Sequence, residues 1–394
     1  MHKWGNFMLP GRTMIVGLIL SAGLGASAQN VASVGAPAST ATVVTTPAAV
    51  AAVPVVPNSP EVLPGNGLKQ HPFLYCGEWN FVNPVQTIWI VRDGKPAWSY
   101  GIPYDIQFNG KKDFEELGDC ALLANGNMLF SSRRGASIVT PDKKVVWHCD
   151  TPAGTELHSI QPIGLDHVLA VENGDPIRML VINTKTDEVE KEVDVKAGNP
   201  KEVHPQLRRA RMTSAGTFLV AHMDDSRVTE YNDKGEVVWN YATPSPWAAV
   251  RLANGNTLIT GNARGYIREV NPKGEVVWSI DRKDLAGYKI GCIQDVVRLA
   301  NGDTVFSNWI PNDVKDPAQW HTTAQLIEVN PAKQVVWALR EWNNPALGPA
   351  SGIQMLDQPG HVEDIPLHRY RRPREPVVIH GVLRTSALWT IWSG

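Results

Sequence analysis

The feature that most limits how this chain can fold is a hairpin that returns along it, each time followed by the same closing strand. One copy is RLANGNTLITGNARGYIREVNPKGEVVWSI, Arg251 to Ile280. Val250-Arg251-Leu252 is a short strand ending in Asn254-Gly255, a two-residue turn whose positions both take positive φ. Thr257 to Thr260 returns, Gly261 to Gly265 turns again, and Tyr266 to Val270 alternates as a half-buried strand does. Asn271-Pro272-Lys273-Gly274 makes a third turn before Val276-Val277-Trp278. The segment is predicted to be a four-stranded antiparallel meander.

The first hairpin recurs as LLANGNMLFSS (Leu122 to Ser132), MTSAGTFLVA (Met212 to Ala221) and RLANGDTVFSN (Arg298 to Asn308). The closing strand recurs as KVVWHCD, GEVVWNY and QVVWALR. The turn glycines at 216, 255 and 302 are 39 and 47 residues apart (255−216 and 302−255), the length of one propeller blade. Between Gly126 and Gly216 lies a degenerate copy, Ile160 to Val193, with Lys191 where the Trp would stand. Complete blades then fall near 115–150, 155–195, 200–243, 245–281 and 289–340. An incomplete copy, FLYCGEW, TIWIVRDGK and PAWSYGI, lacks its first strand, and ASGIQMLD (Ala350 to Asp357) is a first strand with no blade after it. Joined, the two complete a sixth sheet and leave no open edge. The expected fold is all-β: a six-bladed β-propeller over 69–368, its first blade closed by residues 350–357. Trp98, Trp147, Trp239, Trp278 and Trp337 recur at one place in the outer strand and are expected to wedge between blades, burying on the order of 200 Å² each.

The ends lie outside this repeat. His2, Lys3 and Arg12, the apolar run Met14 to Leu24 and Ala26-Ser27-Ala28 read as a signal peptide over 1–28. The apolar run is shorter than the roughly 20 residues a membrane span needs. Residues 29–68, rich in Ala, Val, Thr and Pro, read as a tether, and 369–394 as a tail outside the propeller. The mature protein is expected to be exported, periplasmic or extracellular, and monomeric. A net charge of −2 gives no field for nucleic acid or an acidic membrane. Cys76, Cys120, Cys149 and Cys292 have no CxxC spacing, so zinc ligation by thiols is not indicated and buried free thiols with no essential disulfide are expected. No metal and no cofactor is expected from any spacing along the chain.

Chemistry is expected on the face that carries the irregular loops, at the mouth of the central channel. Repeat phase puts Gly118, His158, Arg208, Trp247, Gln294 and Ser351 at the start of the six innermost strands. Asp119, Ser159, Arg209, Ala248, Asp295 and Gly352 follow them. Middle turns on that face add Glu78, Trp79, Arg133, Arg134, Arg264 and Trp309, and the segments 103–119 and 309–325 are candidate walls. Arg208 and Arg211 could grip an anion with Trp247, Gln294, Asp295 and Asp119 around it; Arg133, Arg134, Arg264 and Trp309 could reach over it. His158 and His204 are the candidate catalytic side chains, and a core hydrogen bond is the competing role for His158. There is no GxSxG, HExxH or P-loop.

The pairing of LANGNTLIT with EVNPKGEVVW resembles the exported bacterial propellers grouped around arylsulfate sulfotransferases and quinoprotein-like repeats. That resemblance implies a propeller and, through LHSIQPI, a possible nucleophile at His158. Here Ser159 follows His158 where the sulfotransferases have Asp. The vicinal Cys pair of the quinone-dependent dehydrogenases and the lipid-site Cys of the outer-membrane-assembly propeller are both missing. The chain looks closest to uncharacterised secreted six-bladed propellers. The expected function is binding of an anionic small molecule or saccharide at the channel mouth. Two alternatives stand beside it: an enzyme using His158, by sulfuryl transfer or acid–base work on an acidic sugar, and a protein-interaction scaffold.

Overall fold

The computed structural model describes residues 59–78, 85–262 and 265–365. The expected signal peptide, most of the tether, the tail, Trp79 and Arg264 lie outside these residues. Six four-stranded antiparallel sheets make the propeller. Blade I is Phe73–Gly77, Val85–Arg92 and Lys95–Pro103, completed on its inner side by Ala350–Met355. Blades II to VI each run outward from their innermost strands, which are Leu117–Leu122, Glu156–Ile163, Leu207–Met212, Pro246–Arg251 and Val296–Arg298. The seam expected in blade I is present, with Phe73 opposite Met355 and Tyr75 opposite Ile353.

There is no single core. Most of the buried apolar side chains of the described residues fall into six wedges, one per blade interface, with a smaller cluster of Ile310, Val314 and Trp320 in the loop of blade VI. Leu74, Ile88 and Phe130 lie between I and II, Trp147 and Leu180 between II and III, and Met179 and Phe218 between III and IV. Leu219 and Ile259 lie between IV and V, Leu258 and Phe306 between V and VI, and Phe73 and Trp337 between VI and I. The alternation along each strand explains this, because both faces of a blade must pack against a neighbour.

The repeated Trp residues sit at these interfaces, and each indole N–H also reaches into the next segment of the ring. Trp98 donates to Pro141 O (2.8 Å), Trp239 to Pro272 O (3.1 Å) and Trp278 to Pro331 O (3.0 Å), each acceptor lying in the last turn of the following blade. Trp147 donates to Asp187 Oδ1 (3.0 Å) and Trp337 to Gly67 O (2.9 Å). Lys191 takes the same route in blade III, with its Nζ 4.0 Å from Asp233.

Residues 59–68, read from composition as the end of the tether, lie against blade VI: Arg340 donates to Ser59 Oγ and Pro60 O, and Ala338 N to Pro64 O. The cysteine expectation is corrected. Cys76 and Cys120 form a disulfide across the interface of blades I and II, with Cα atoms 6.6 Å apart. Repeat phase put Cys120 on the innermost strand of one blade and Cys76 on the second strand of another, and only the packing of the two blades brings them within bridging range. Cys149 and Cys292 are free and buried. Among the described residues no helix is long and apolar enough to cross a membrane.

Candidate functional site

The site begins with irregular backbone. In blades II to V the register of the innermost strand slips at its start, between Leu117 and Cys120, Leu157 and Ser159, Leu207 and Ala210, and Pro246 and Ala249. A bulge leaves residues out of the ladder and re-aims their side chains. The residues inside these bulges are Gly118, Asp119, His158, Arg208, Arg209, Trp247 and Ala248. Amides freed at three openings are taken by hydroxyls one strand out: Asp119 N to Ser131 Oγ (2.9 Å), Ala248 N to Thr260 Oγ1 (3.1 Å) and Asp295 N to Ser307 Oγ (2.8 Å). Those hydroxyls end the hairpins LLANGNMLFSS, RLANGNTLIT and RLANGDTVFSN.

All six blades contribute to one narrow recess at the channel mouth. It is lined by Glu78 of blade I, Glu116 and Gly118 of blade II, His158, Arg208, Arg209, Trp247 and Gln294. The space between atoms there is about 340 Å³, solvent at its opening included. Blades II and III approach so closely at this level that a Cβ on Gly118 would lie 2.7 Å from His158 O. Only Gly fits.

Two cations in sequence do different work. Arg209 forms the floor: it donates to Gln294 O (2.9 Å) and Ser351 O (2.6 Å), pairs with Asp119, and has Asp295 at 3.5 Å. Arg211 also pairs with Asp119, at 2.7 Å. Burial would raise the Asp119 carboxyl, but Arg209 and Arg211 outweigh it and hold it below its usual range. Burial prevails at Asp295, which is raised. Arg208 is equally buried, yet among the described residues it has no carboxylate partner. Its Nη1 donates to His204 O and to Leu207 O (3.2 Å), its guanidinium lies 4.7 Å from the Trp247 ring, and its Nε has no hydrogen-bond partner.

The acidic side of the recess is a chain of paired groups. Trp309 donates to Glu78 Oε2 at 2.5 Å. Burial, and then the charge of Glu116, push the Glu78 carboxyl well up. At Glu116 burial is outweighed by His204, His158 and Arg208, and its carboxyl is lowered. Glu156 Oε2 accepts from His158 Nε2 (3.0 Å) and His204 Nδ1 (2.8 Å), while its Oε1 accepts from Arg133 Nε (2.6 Å). Burial and the Arg208 charge bring His158 down to about 4, so its imidazole is neutral at pH 7.

Repeat phase therefore brings together His158, Arg208, Trp247 and Gln294 at the recess, with His204 beside them and Trp309 behind Glu78. Asp119, Asp295 and Arg211 lie at the level of the floor. Arg133 reaches the ring only through Glu156, and its guanidinium also pairs with Asp113 (3.2 Å) and lies 4.2 Å from the Phe114 ring. Arg134 is held by Asp113 (2.5 Å) and Phe108 and does not line the recess. Both are organised by a small hairpin, Asp105–Phe108 with Lys111–Phe114, inside one of the expected wall segments. The other wall carries the 3₁₀ turn Pro317–Thr322, anchored by buried Trp320. Arg264 lies outside the described residues. Glu116 and Glu156 were not singled out from sequence; each stands two residues ahead of an aligned opening position, and that shared offset is the signal that could have found them.

No protein-family model and no curated protein matches the chain. Among solved structures it is similar to a protein of unknown function from Bacteroides caccae, with 24% identity, a TM-score of 0.61, and coverage of 72% of this chain and 97% of that one. Weaker likenesses reach virginiamycin B lyase from Staphylococcus aureus (12% identity, TM-score 0.43, 70% and 85% covered) and BamB from Moraxella catarrhalis (12%, 0.37, 57% and 67%). At 24% identity the likeness to the Bacteroides caccae protein speaks to fold alone, and the six four-stranded sheets make the chain a six-bladed β-propeller.

Proposed function

We propose that this is an exported binding protein for a small anionic ligand, in the first instance an acidic saccharide, taken at the channel mouth. One observation carries the reading. Arg208 is a buried guanidinium without a carboxylate partner among the described residues, backed by Trp247 and lining the recess. The carboxylates that act on it, Glu116, Glu156 and Glu78, form no ion pair with it, and an anion supplied by a ligand would make that direct contact. Trp247 offers a flat apolar face and Gln294 an amide, the groups a sugar ring uses. The convergence of polar side chains at one recess favours a small ligand over a broad protein partner. The Cys76–Cys120 disulfide is consistent with an exporting leader.

A second reading, an enzyme, draws on the geometry of His158. Its ring is fixed by Glu156, as a nucleophile or base must be fixed. Calorimetric titration with glucuronate, galacturonate and sulfate, with glucose as the neutral control, tests the first reading. Arg208→Ala is expected to lose about 1.5–3 kcal/mol of anion affinity, the scale of a charged hydrogen bond. Equal binding of glucose, or undiminished anion binding in the variant, would sink it. His158→Ala separates the two readings: a binder keeps most of its affinity, whereas an enzyme loses turnover of an aryl sulfate or uronide with its melting temperature intact.

A further inference from the structure

We propose that Glu116, His158 and His204 form a site for a divalent cation of the zinc class, held by three protein donors with a fourth position open to the recess. One ligand atom from each residue lies within 4.8 Å of the other two. Donors on a tetrahedral zinc shell stand about 3.4 Å apart, given metal–ligand bonds of about 2.0–2.2 Å, so side-chain adjustments of about an ångström close the set. The inference does not rest on the saccharide reading, because uptake of the metal alone tests it.

Three features point to a metal rather than a chance meeting of polar groups. Glu116 Oε2 is buried and has no hydrogen-bond partner among the described residues. Such an oxygen is expensive to leave bare, and a cation satisfies it. Next, Glu156 Oε2 accepts from one nitrogen of each imidazole, which fixes both rings and leaves each a second nitrogen. A carboxylate that orients ligating histidines in this way is the usual outer shell of a metal site. Finally, the donor set is two imidazoles and one carboxylate. Calcium and magnesium prefer all-oxygen surroundings, whereas imidazole suits zinc and its transition-metal neighbours. Three protein ligands leave one coordination position, and Glu116 and His158 line the recess where that position opens. Thiols take no part, and no motif spacing announces the site, because its ligands come from the starts of blades II and III and the loop before blade IV.

The test is metal uptake by the full mature chain, stripped with chelator and then dialysed against Zn²⁺ or Co²⁺. One equivalent of Zn²⁺ per chain is expected by elemental analysis, with a tetrahedral Co²⁺ visible spectrum that Zn²⁺ displaces. His204→Ala and Glu116→Gln should each weaken Zn²⁺ binding by at least about 10-fold, and Glu156→Gln by about 10–100-fold, the range seen when an orienting partner is lost. His204 is half-exposed on a loop, so its variant is expected to keep the wild-type melting temperature and isolates ligation from folding. Substoichiometric uptake by the wild type, unchanged affinity in a folded His204→Ala protein, or Mg²⁺ competing as well as Zn²⁺ would each overturn the assignment.

Discussion

Arg209 shows what one side chain can do when it stands on the axis of a ring. It begins in blade IV, and its guanidinium meets Gln294 O and Asp295 ahead of blade VI, Ser351 O in the closing strand, and Asp119 in blade II. Gly352 is kept small beside it, since a Cβ there would lie 3.1 Å from Arg209 Nη2. Arg209→Met should cost about 3–5 kcal/mol in chemical denaturation, because Asp295 would stay buried without its cation and Asp119 would keep only Arg211. A loss under about 1 kcal/mol, the scale of an exposed pair, would mean that the carboxylates are stable without it. Repeat phase made Arg208 and Arg209 legible as channel residues and put Asp119 and Asp295 across from them. It did not tell the two arginines apart. In a regular strand neighbouring side chains point to opposite faces; the bulge at Leu207–Ala210 removes that alternation and sends both inward.

At the level of the strand, the recurring Trp was legible as a wedge between blades, because a large apolar side chain at a fixed outer position has nowhere else to go. Its hydrogen bond was not, since the acceptor belongs to the turn of the next repeat and lies 53 residues away for Trp278 and Pro331. Trp278→Phe keeps most of the apolar contact and removes the donor, so a loss of about 1 kcal/mol is expected from the bond alone, plus the smaller ring. Lys191→Ala, which removes the corresponding link of blade III, should cost less than about 1 kcal/mol, because that pair is partly exposed and long. Equal costs for the two in urea denaturation would argue that the indole N–H contributes nothing and area alone holds the blades.

For the whole molecule, the seam in blade I closes the ring. The incomplete first copy and the lone strand after the last were visible in the sequence, and pairing them followed from the need to cover two edges. The Cys76–Cys120 bridge beside the seam was not visible, because register within a blade says nothing about register between blades. Truncation after residue 345 removes Ala350–Met355 and opens the inner edge of blade I together with the wedge it shares with blade VI. The truncated protein should melt at a markedly lower temperature and self-associate through its open edges. If it stayed monomeric with an unchanged melting temperature, blade I would be stable as three strands.

The same seam sets an order of events during synthesis. Blade I holds the first strands to be made and the last, so its sheet stays one strand short until residue 355 has emerged. Blades II to VI can pair within themselves as they appear, but blade I must wait with its inner edge bare for some 270 residues of further translation, about 14–54 s at 5–20 residues per second. During that interval nothing but solvent or a protecting partner covers the edge. A chain that ends early, by nonsense mutation or clipping, therefore loses its beginning as well as its end.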